Sequence, residues 1–321
     1  MLLNLEEVTK VFKTGTFGGQ DLRAVEDVDF ELREGEFISL IGESGSGKST
    51  IGRMILRLTP VTSGAIKYRG EDISKFRKKS LKNYYRQVQG VFQEPFSAYN
   101  PIFKADRVFR NVKDEFFPEM NNGRWQERVH ESLRAVGLNP DQVLGNYPHQ
   151  LSGGQLQRFL IARALLLDID FLVADEIISM LDASTRIDVL NLLADLKEKE
   201  DLSILFITHD LSLGYYISEK AMILYSGIIL EKGKTEKIFR DPLHPYTKML
   251  MASVPRIDKK WEEVETELEE KQSEIDSGCV YRDRCSYEEK GKQCVEDRPK
   301  LREAEENHYV ACYSHEEDEN V

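Results

Sequence analysis

The chain has 321 residues, 40% of them apolar and 31% charged, enough for one large α/β domain with an appendage, or for two domains. Its formal net charge of −12 argues against nucleic acid as the main partner, because such proteins present basic surface. No run approaches the ~20 uncharged apolar residues of a spanning helix: Arg163, Asp168, Asp170 and Asp175 interrupt the best stretch, 159–181.

The first ten residues carry Glu6 and Glu7 and lack the long apolar core of a signal peptide. A cytoplasmic location is therefore expected, with membrane contact made only through partners. Residues 1–12 and 25–41 read as short strands joined by turns, and 14–19 (T-G-T-F-G-G) as a flexible loop. The apolar run 37–41 predicts a buried strand, followed by a glycine-rich loop and a helix from Lys48 to Leu58 that stops before Pro60. The middle of the chain, about 95–165, is more helical. Helices are expected over 127–136, ending at Gly137, and over 155–167. Runs 171–174 and 203–207 predict two further buried strands. Apolar strands alternating with helices argue for a largely parallel sheet with crossover helices. Beyond about residue 237 the composition shifts. Segment 258–276 is rich in Glu and Lys and reads as a solvated helix or linker. All four cysteines follow it, and no internal repeat is evident.

Two segments carry the chemistry. Residues 42–50 read G-E-S-G-S-G-K-S-T, and Gly42, Gly47, Lys48 and Ser49 fit the phosphate-loop pattern G-x-x-x-x-G-K-[ST]. Glycines let backbone N–H groups point inward at anionic oxygens, and the helix that follows adds its positive end. A chance glycine-rich turn is the bland alternative; a strand before and a helix after favour the phosphate loop. The predicted ATP-binding segment runs from Gly42 through Ser44, Gly45, Ser46 and Gly47 to Thr50. Lys48 would reach the β and γ phosphates, and the Ser49 hydroxyl would bind Mg²⁺. At the end of strand 171–174, Asp175 stands where a carboxylate would orient Mg²⁺, and Glu176 where a general base would act on the attacking water. Taken alone the pair could be an exposed acidic turn.

Residues 151–155, L-S-G-G-Q, resemble the signature of the ATP-binding cassette (ABC) ATPases. Ser152 is also a natural helix N-cap. The other elements of that family appear in order across residues 1–235. The resemblance implies roles for each. Gln93, in V-F-Q-E-P, matches the Q-loop glutamine that contacts ATP and Mg²⁺ and senses the partner surface. Asp182, in S-M-L-D, matches the D-loop that meets the opposite subunit. His209, in I-T-H-D, matches the switch histidine at the γ-phosphate. Phe12 holds the place of the aromatic that stacks on adenine. Ser152, Gly153, Gly154 and Gln155 would act in trans, on ATP held by a second ABC ATPase subunit. The implied fold is an α/β P-loop NTPase of ABC type, a mixed sheet core with a helical subdomain at about 95–165, occupying residues 1–236. Two positions depart from the common pattern: Ile177 where Pro is usual, and Gln150 where Glu is usual.

Residues 241–247, D-P-L-H-P-Y-T, together with Y-P-H at 147–149 and N-P at 100–101, resemble the oligopeptide/dipeptide importer group. That group bears a C-terminal extension, here 237–321. The resemblance implies a [4Fe–4S] cluster on Cys279, Cys285, Cys294 and Cys312. The spacing C-x5-C-x8-C-x17-C lacks the close pairs of a structural zinc site, though four thiolates also suit Zn²⁺, and the thiols could carry nothing. The expected partners are a second ATPase subunit, in a homodimer or preferably a heterodimer, two transmembrane permeases and, indirectly, an extracellular solute-binding protein, at the cytoplasmic face of the membrane. Peptides lead as cargo, with oligosaccharides or nickel as alternatives. A soluble ABC ATPase outside transport is the distant rival.

Overall fold

The computed structural model describes residues 1–13, 21–253, 277–287 and 291–315. The loop predicted at 14–19 and the charged segment predicted at 258–276 lie outside the described residues. In chain order the strands are β1 (Leu3–Lys13), β2 (Asp21–Leu32), β3 (Phe37–Ile41), β4 (Ser63–Tyr68), β5 (Glu71–Asp72), β6 (Val88–Val91), β7 (Phe171–Asp175), β8 (Ser203–Thr208), β9 (Lys220–Tyr225), β10 (Ile228–Lys234), β11 (Arg302–Glu305) and β12 (His308–Val310). The α-helices are α1 (Lys48–Ile55), α2 (Lys78–Gln87), α3 (Arg107–Phe116), α4 (Asn122–Ala135), α5 (Pro140–Val143), α6 (Gly153–Leu165), α7 (Ala183–Glu200), α8 (Leu211–Ile217), α9 (Thr235–Arg240), α10 (Pro245–Ala252) and α11 (Gln293–Glu296).

The strands form two sheets, ordered β2-β1-β4-β5 and β11-β12-β10-β9-β3-β8-β7-β6. Strands β9, β3, β8, β7 and β6 pair in parallel, as the alternation of strand and helix predicts. The larger sheet is mixed, as the family resemblance implies, because β10, β12 and β11 add to it antiparallel. The smaller sheet is antiparallel throughout. Strands β3, β7 and β8 are buried at every position, which explains their continuous apolar sequence: both faces are covered. On one face Leu40, Ile207, Val173 and Ile51 meet the smaller sheet through Leu5, Val25 and Ile66. On the other, Leu172, Phe206 and Ile204 pack with α6 and α7 through Phe159, Leu190 and Leu193.

Element ends differ from expectation for local reasons. Helix α1 stops at Ile55 rather than Leu58, because Arg57 adopts φ 54° and the Leu58 N–H donates to the Arg53 carbonyl at 2.8 Å, a left-handed helix stop. Helix α4 begins five residues before the predicted 127, where the Asn121 side chain accepts the Arg124 N–H at 2.8 Å. It ends at Ala135, one residue before the predicted 136, with the expected glycine stop, Gly137 at φ 72°, just beyond the Val136 cap. Helix α6 runs 153–165 rather than 155–167, started by the Ser152 cap. Strands β7 and β8 each extend one residue beyond the predicted 174 and 207.

The C-terminal extension is built into the larger sheet. Strand β12 pairs with β10 in the register Glu231↔Val310 and Gly233↔His308. Glu231 is fully buried and accepts hydrogen bonds from the Leu243 and His244 backbone N–H groups at 3.0 and 2.9 Å. It also meets the buried His308 Nε2 at 2.7 Å. One carboxylate thus ties β10, the lead-in to α10 and the last strand together.

Candidate functional site

The parallel register decides what meets at the carboxyl ends of the strands. Ile41 lies beside Thr208, and Ile207 beside Asp175. The loop after β3, the acidic pair after β7 and His209 after β8 therefore emerge side by side, at the edge where open α/β sheets bind ligands.

The loop 42–50 is a turn followed by α1. Gly47 has φ 103°, and a Cβ there would lie 2.4 Å from the Ala24 carbonyl oxygen; one on Gly42 would lie 2.1 Å from that of Leu224. Both glycines are thus required by the approach of neighbouring backbone. Ser44 and Gly45 are exposed at the tip, Ser46 is buried, and Ser49 and Thr50 are partly buried in the first turn of α1. Lys48 is 4% exposed, and its Nζ donates to the Gly42 and Glu43 carbonyls at 2.8 and 2.7 Å. Burial lowers its pKa, while Glu176, Asp175 and Glu43 raise it. The neighbouring carboxylates favour the charged form of this buried ammonium, and as a cation Lys48 can anchor phosphate oxygens.

The Ser49 hydroxyl donates to Asp175 Oδ1 at 3.0 Å, across 126 positions of sequence. Burial raises the pKa of Asp175, and the Ser49 hydrogen bond works against that. A hydroxyl and a buried carboxylate in contact match the oxygen donors that a hard divalent cation takes, so these residues fit Mg²⁺. Glu176 follows with φ 49°, its N–H donating to the Ile207 carbonyl at 2.9 Å. Its Oε1 lies 3.4 Å from His209 Nδ1. Consecutive carboxylates thus part company: one toward Ser49, the other toward the histidine. Ile177, the departure from proline, is buried in the core.

Other predicted residues lie around this centre. Phe12 stands on β1, 37% exposed, with Lys10 Nζ 4.8 Å from its ring centroid. Gln93 is exposed just after β6. Asp182 caps α7, accepting from the Thr185 N–H and the Ser184 and Thr185 hydroxyls, and these bonds hold its carboxyl well below the usual carboxylate range. Ser152 and Gln155 form a reciprocal capping box at the start of α6, at 3.2 and 2.9 Å. Gly154 packs close to α7, where a Cβ would meet Thr185 Cγ2 at 2.7 Å, whereas one on Gly153 would meet nothing. Among the described residues no hydrogen bond or ion pair joins 152–155 to 42–50.

This constellation has close counterparts. Residues 25–179 match the ABC transporter family, and residues 230–294 match the oligopeptide/dipeptide transporter, C-terminal region. The oligopeptide transport ATP-binding protein AppF of Bacillus subtilis (strain 168) is 39% identical over 97% of this chain and 97% of its own. The oligopeptide transport ATP-binding protein OppF of Haemophilus influenzae is 36% identical over 91% of this chain and 89% of its own. The chain belongs to the ABC transporter family. It is an ATPase of that family, in the oligopeptide/dipeptide transporter group. Among solved structures, the dimeric ATP-binding cassette MJ0796 in a post-hydrolysis state bound to ADP and Pi is 29% identical, with a TM-score of 0.66 over 73% of this chain and 99% of that one. Among the described residues of this ABC ATPase no helix is long and apolar enough to cross a membrane.

The four cysteines of this ABC ATPase gather in the extension. The Cys279 N–H donates to the Cys294 carbonyl at 2.9 Å. Burial pushes the Cys279 thiol up to about 11, and the nearby thiols of Cys312, Cys294 and Cys285 add to the effect. The donor chemistry suits a sulfur-bound centre. The side chains as they stand are not closed into a cage: among the described residues no group of three or more His, Cys, Asp or Glu side chains is arranged to hold a metal ion.

Three residues of the site escaped the sequence. Glu43, inside the loop, donates its N–H to the Tyr246 hydroxyl at 3.0 Å, and its carboxylate pairs with Arg284 at 2.9 and 3.0 Å. Their separations of 203 and 241 positions leave no local signal.

Proposed function

We propose that this chain is the ATP-hydrolysing motor subunit of an importer for oligopeptides or dipeptides, working at the cytoplasmic face of the membrane. Peptides are what the relatives AppF and OppF are named for. The observation that carries the proposal is the placement of one phosphate loop and one signature helix start that, among the described residues, no hydrogen bond or ion pair joins. Each loop then needs the signature of another subunit, and we infer a dimer with two composite ATP sites, a heterodimer by preference.

In this reading residues 1–236 form the ATPase domain, with a helical subdomain at about 95–165, and 237–321 the extension. Loop 42–50 and Lys48 bind the phosphates, and Phe12 stacks on adenine. Ser49, Asp175 and Gln93 would hold Mg²⁺, which when bound neutralises charge on the phosphate oxygens. Glu176 takes a proton from the attacking water, and His209, in contact with Glu176, orients the γ-phosphate. Ser152 to Gln155 and Asp182 act on the partner's site. Two permeases would dock beside the Q-loop, where Phe96, Ile102 and Phe103 are exposed next to a groove lined by Ala98, Tyr99, Asn100 and Arg107. A solute-binding protein would deliver cargo outside the cell.

Cys279, Cys285, Cys294 and Cys312 are the proposed ligands of a [4Fe–4S] cluster, with zinc second. Iron and acid-labile sulfide in anaerobically purified protein support the cluster; one zinc and no iron overturn it. For the importer reading, the chain is purified from membranes. Co-purification with multi-span permeases and a second ATPase subunit, with hydrolysis stimulated by peptide and its binding protein, is expected. Recovery with ribosomes or DNA-repair partners would sink the reading.

A further inference from the structure

The contact between Arg284 and the phosphate loop has no counterpart in the functions assigned above. We propose that Arg284 is a positioning residue for nucleotide binding: it neutralises and fastens Glu43, so that the cysteine-bearing extension sets the ATP affinity of the loop at the other end of the chain. The inference rests on loop 42–50 being the nucleotide site.

Arg284 precedes Cys285 and grips both Glu43 oxygens, Nη1 to Oε2 at 2.9 Å and Nη2 to Oε1 at 3.0 Å. Such a two-pronged pair fixes geometry as well as charge. The guanidinium is itself held between rings, 5.8 and 5.7 Å from the centroids of Tyr225 and Tyr281. From α10, the buried Tyr246 hydroxyl accepts the Glu43 N–H at 3.0 Å. Tyr225, Tyr246, Tyr281 and Cys279 share one core cluster, so the grip on Glu43 is built on the packing of the extension.

Two consequences follow for the loop. The first is electrostatic. ATP brings several negative charges to a loop that already carries a carboxylate, and Glu43 is near enough to act on Lys48. Arg284 cancels that charge where it would repel the phosphates. The second is geometric. The Glu43 carbonyl is one of the acceptors that orient Lys48 Nζ, at 2.7 Å. That carbonyl also accepts the Ser46 N–H at 3.2 Å, while Ser44 and Gly45 between them are exposed and a Cβ on Gly45 would touch nothing. Fixing Glu43 at its carboxylate and at its N–H therefore fixes the carbonyl that aims the lysine.

The test uses the full-length chain and equilibrium titration with the non-hydrolysable analogue AMP-PNP and Mg²⁺. Arg284→Ala leaves Glu43 unpaired and is expected to weaken binding about three- to tenfold, the size of a partly exposed bidentate pair. Arg284→Lys keeps the charge without the fork and falls between. Arg284→Ala combined with Glu43→Gln removes the uncompensated charge, and its Kd is expected to return to within about twofold of Glu43→Gln alone. A chain that had merely lost its fold would show no such suppression. An unchanged Kd in Arg284→Ala overturns the proposal, and so does a weakening that Glu43→Gln does not relieve. Lys48→Ala, titrated in parallel, separates the two readings. If it binds normally, loop 42–50 is not the nucleotide site and both fall; if it loses binding while Arg284→Ala does not, only the proposal falls.

Discussion

Replacing the proposed general base, Glu176, by Gln would isolate the chemical step of this ATPase. The side chain keeps its shape, and its position is set largely by backbone: φ is 49° and the N–H is held by the Ile207 carbonyl at 2.9 Å. Gln should therefore occupy the same place beside His209, 3.4 Å away in the parent. What it loses is the capacity to take a proton from water. General-base catalysis is worth about 10²–10⁴-fold, or roughly 3–5 kcal/mol of activation free energy. Turnover of Glu176→Gln should fall by that factor. Binding should not fall with it, because Ser49, Asp175 and the carbonyls around Lys48 are untouched, and one negative charge that acts on Lys48 is removed. Phosphate release gives the first quantity and AMP-PNP titration the second. Size-exclusion chromatography with ATP should also show the assembly persisting in the variant. Turnover within tenfold of the parent would refute the general-base assignment; a matching loss of nucleotide affinity would refute the division of labour between Asp175 and Glu176.

Gly47→Ala should abolish nucleotide binding, since φ 103° disfavours any side chain and the added Cβ would strike the Ala24 carbonyl at 2.4 Å; normal AMP-PNP affinity would contradict this. Glu231→Ala leaves two buried N–H groups and His308 without their acceptor, and denaturant unfolding should show a loss of about 3–5 kcal/mol. A loss under about 1 kcal/mol would mean that the buried pair does not secure the extension. His244 is buried, its pKa lowered from 6.5 to about 3, first by burial and then by His315 and Lys248. Its folded-state value lies below the unfolded one, so the unfolded chain binds the extra proton and stability falls as pH drops from about 6.5 toward 3. His244→Asn, which retains an acceptor for the Tyr246 N–H that His244 Nδ1 now takes at 3.0 Å, should melt with a shallower pH slope in that window. An unchanged slope would clear His244 of the effect.

Contiguous motifs were legible because their geometry is local. The backbone turns of 42–50 are set by its own glycines and by the strand and helix on either side, and the short apolar runs at 37–41, 171–174 and 203–207, bounded by turn residues and helical segments, fit strands covered on both faces. The capping box of Ser152 and Gln155 likewise lies within four residues. The antiparallel sheet of β1, β2, β4 and β5 was not legible as a unit, because pairing β1 with β4 depends on contacts some sixty residues apart and on bulges in register. The edge pairing of β12 with β10 had the same obstacle: Glu231 and Val310 stand opposite each other from distant parts of the chain, and Glu231 is buried there against His308.

By itself, then, the sequence pointed to the residues proposed to carry the chemistry: the glycines, Lys48, Ser49, Asp175, Glu176 and His209, and the separate signature at Ser152 to Gln155. Tertiary structure decided who their neighbours are. Parallel register places Asp175 opposite Ile207 and Thr208 beside Ile41, so that the Ser49–Asp175 bond and the Glu176–His209 contact form from segments that share no local pattern. It also carries Arg284 across 241 positions to Glu43. A motif is specified by short-range backbone preferences, whereas a contact between distant side chains exists only after the sheet and the core have closed around it.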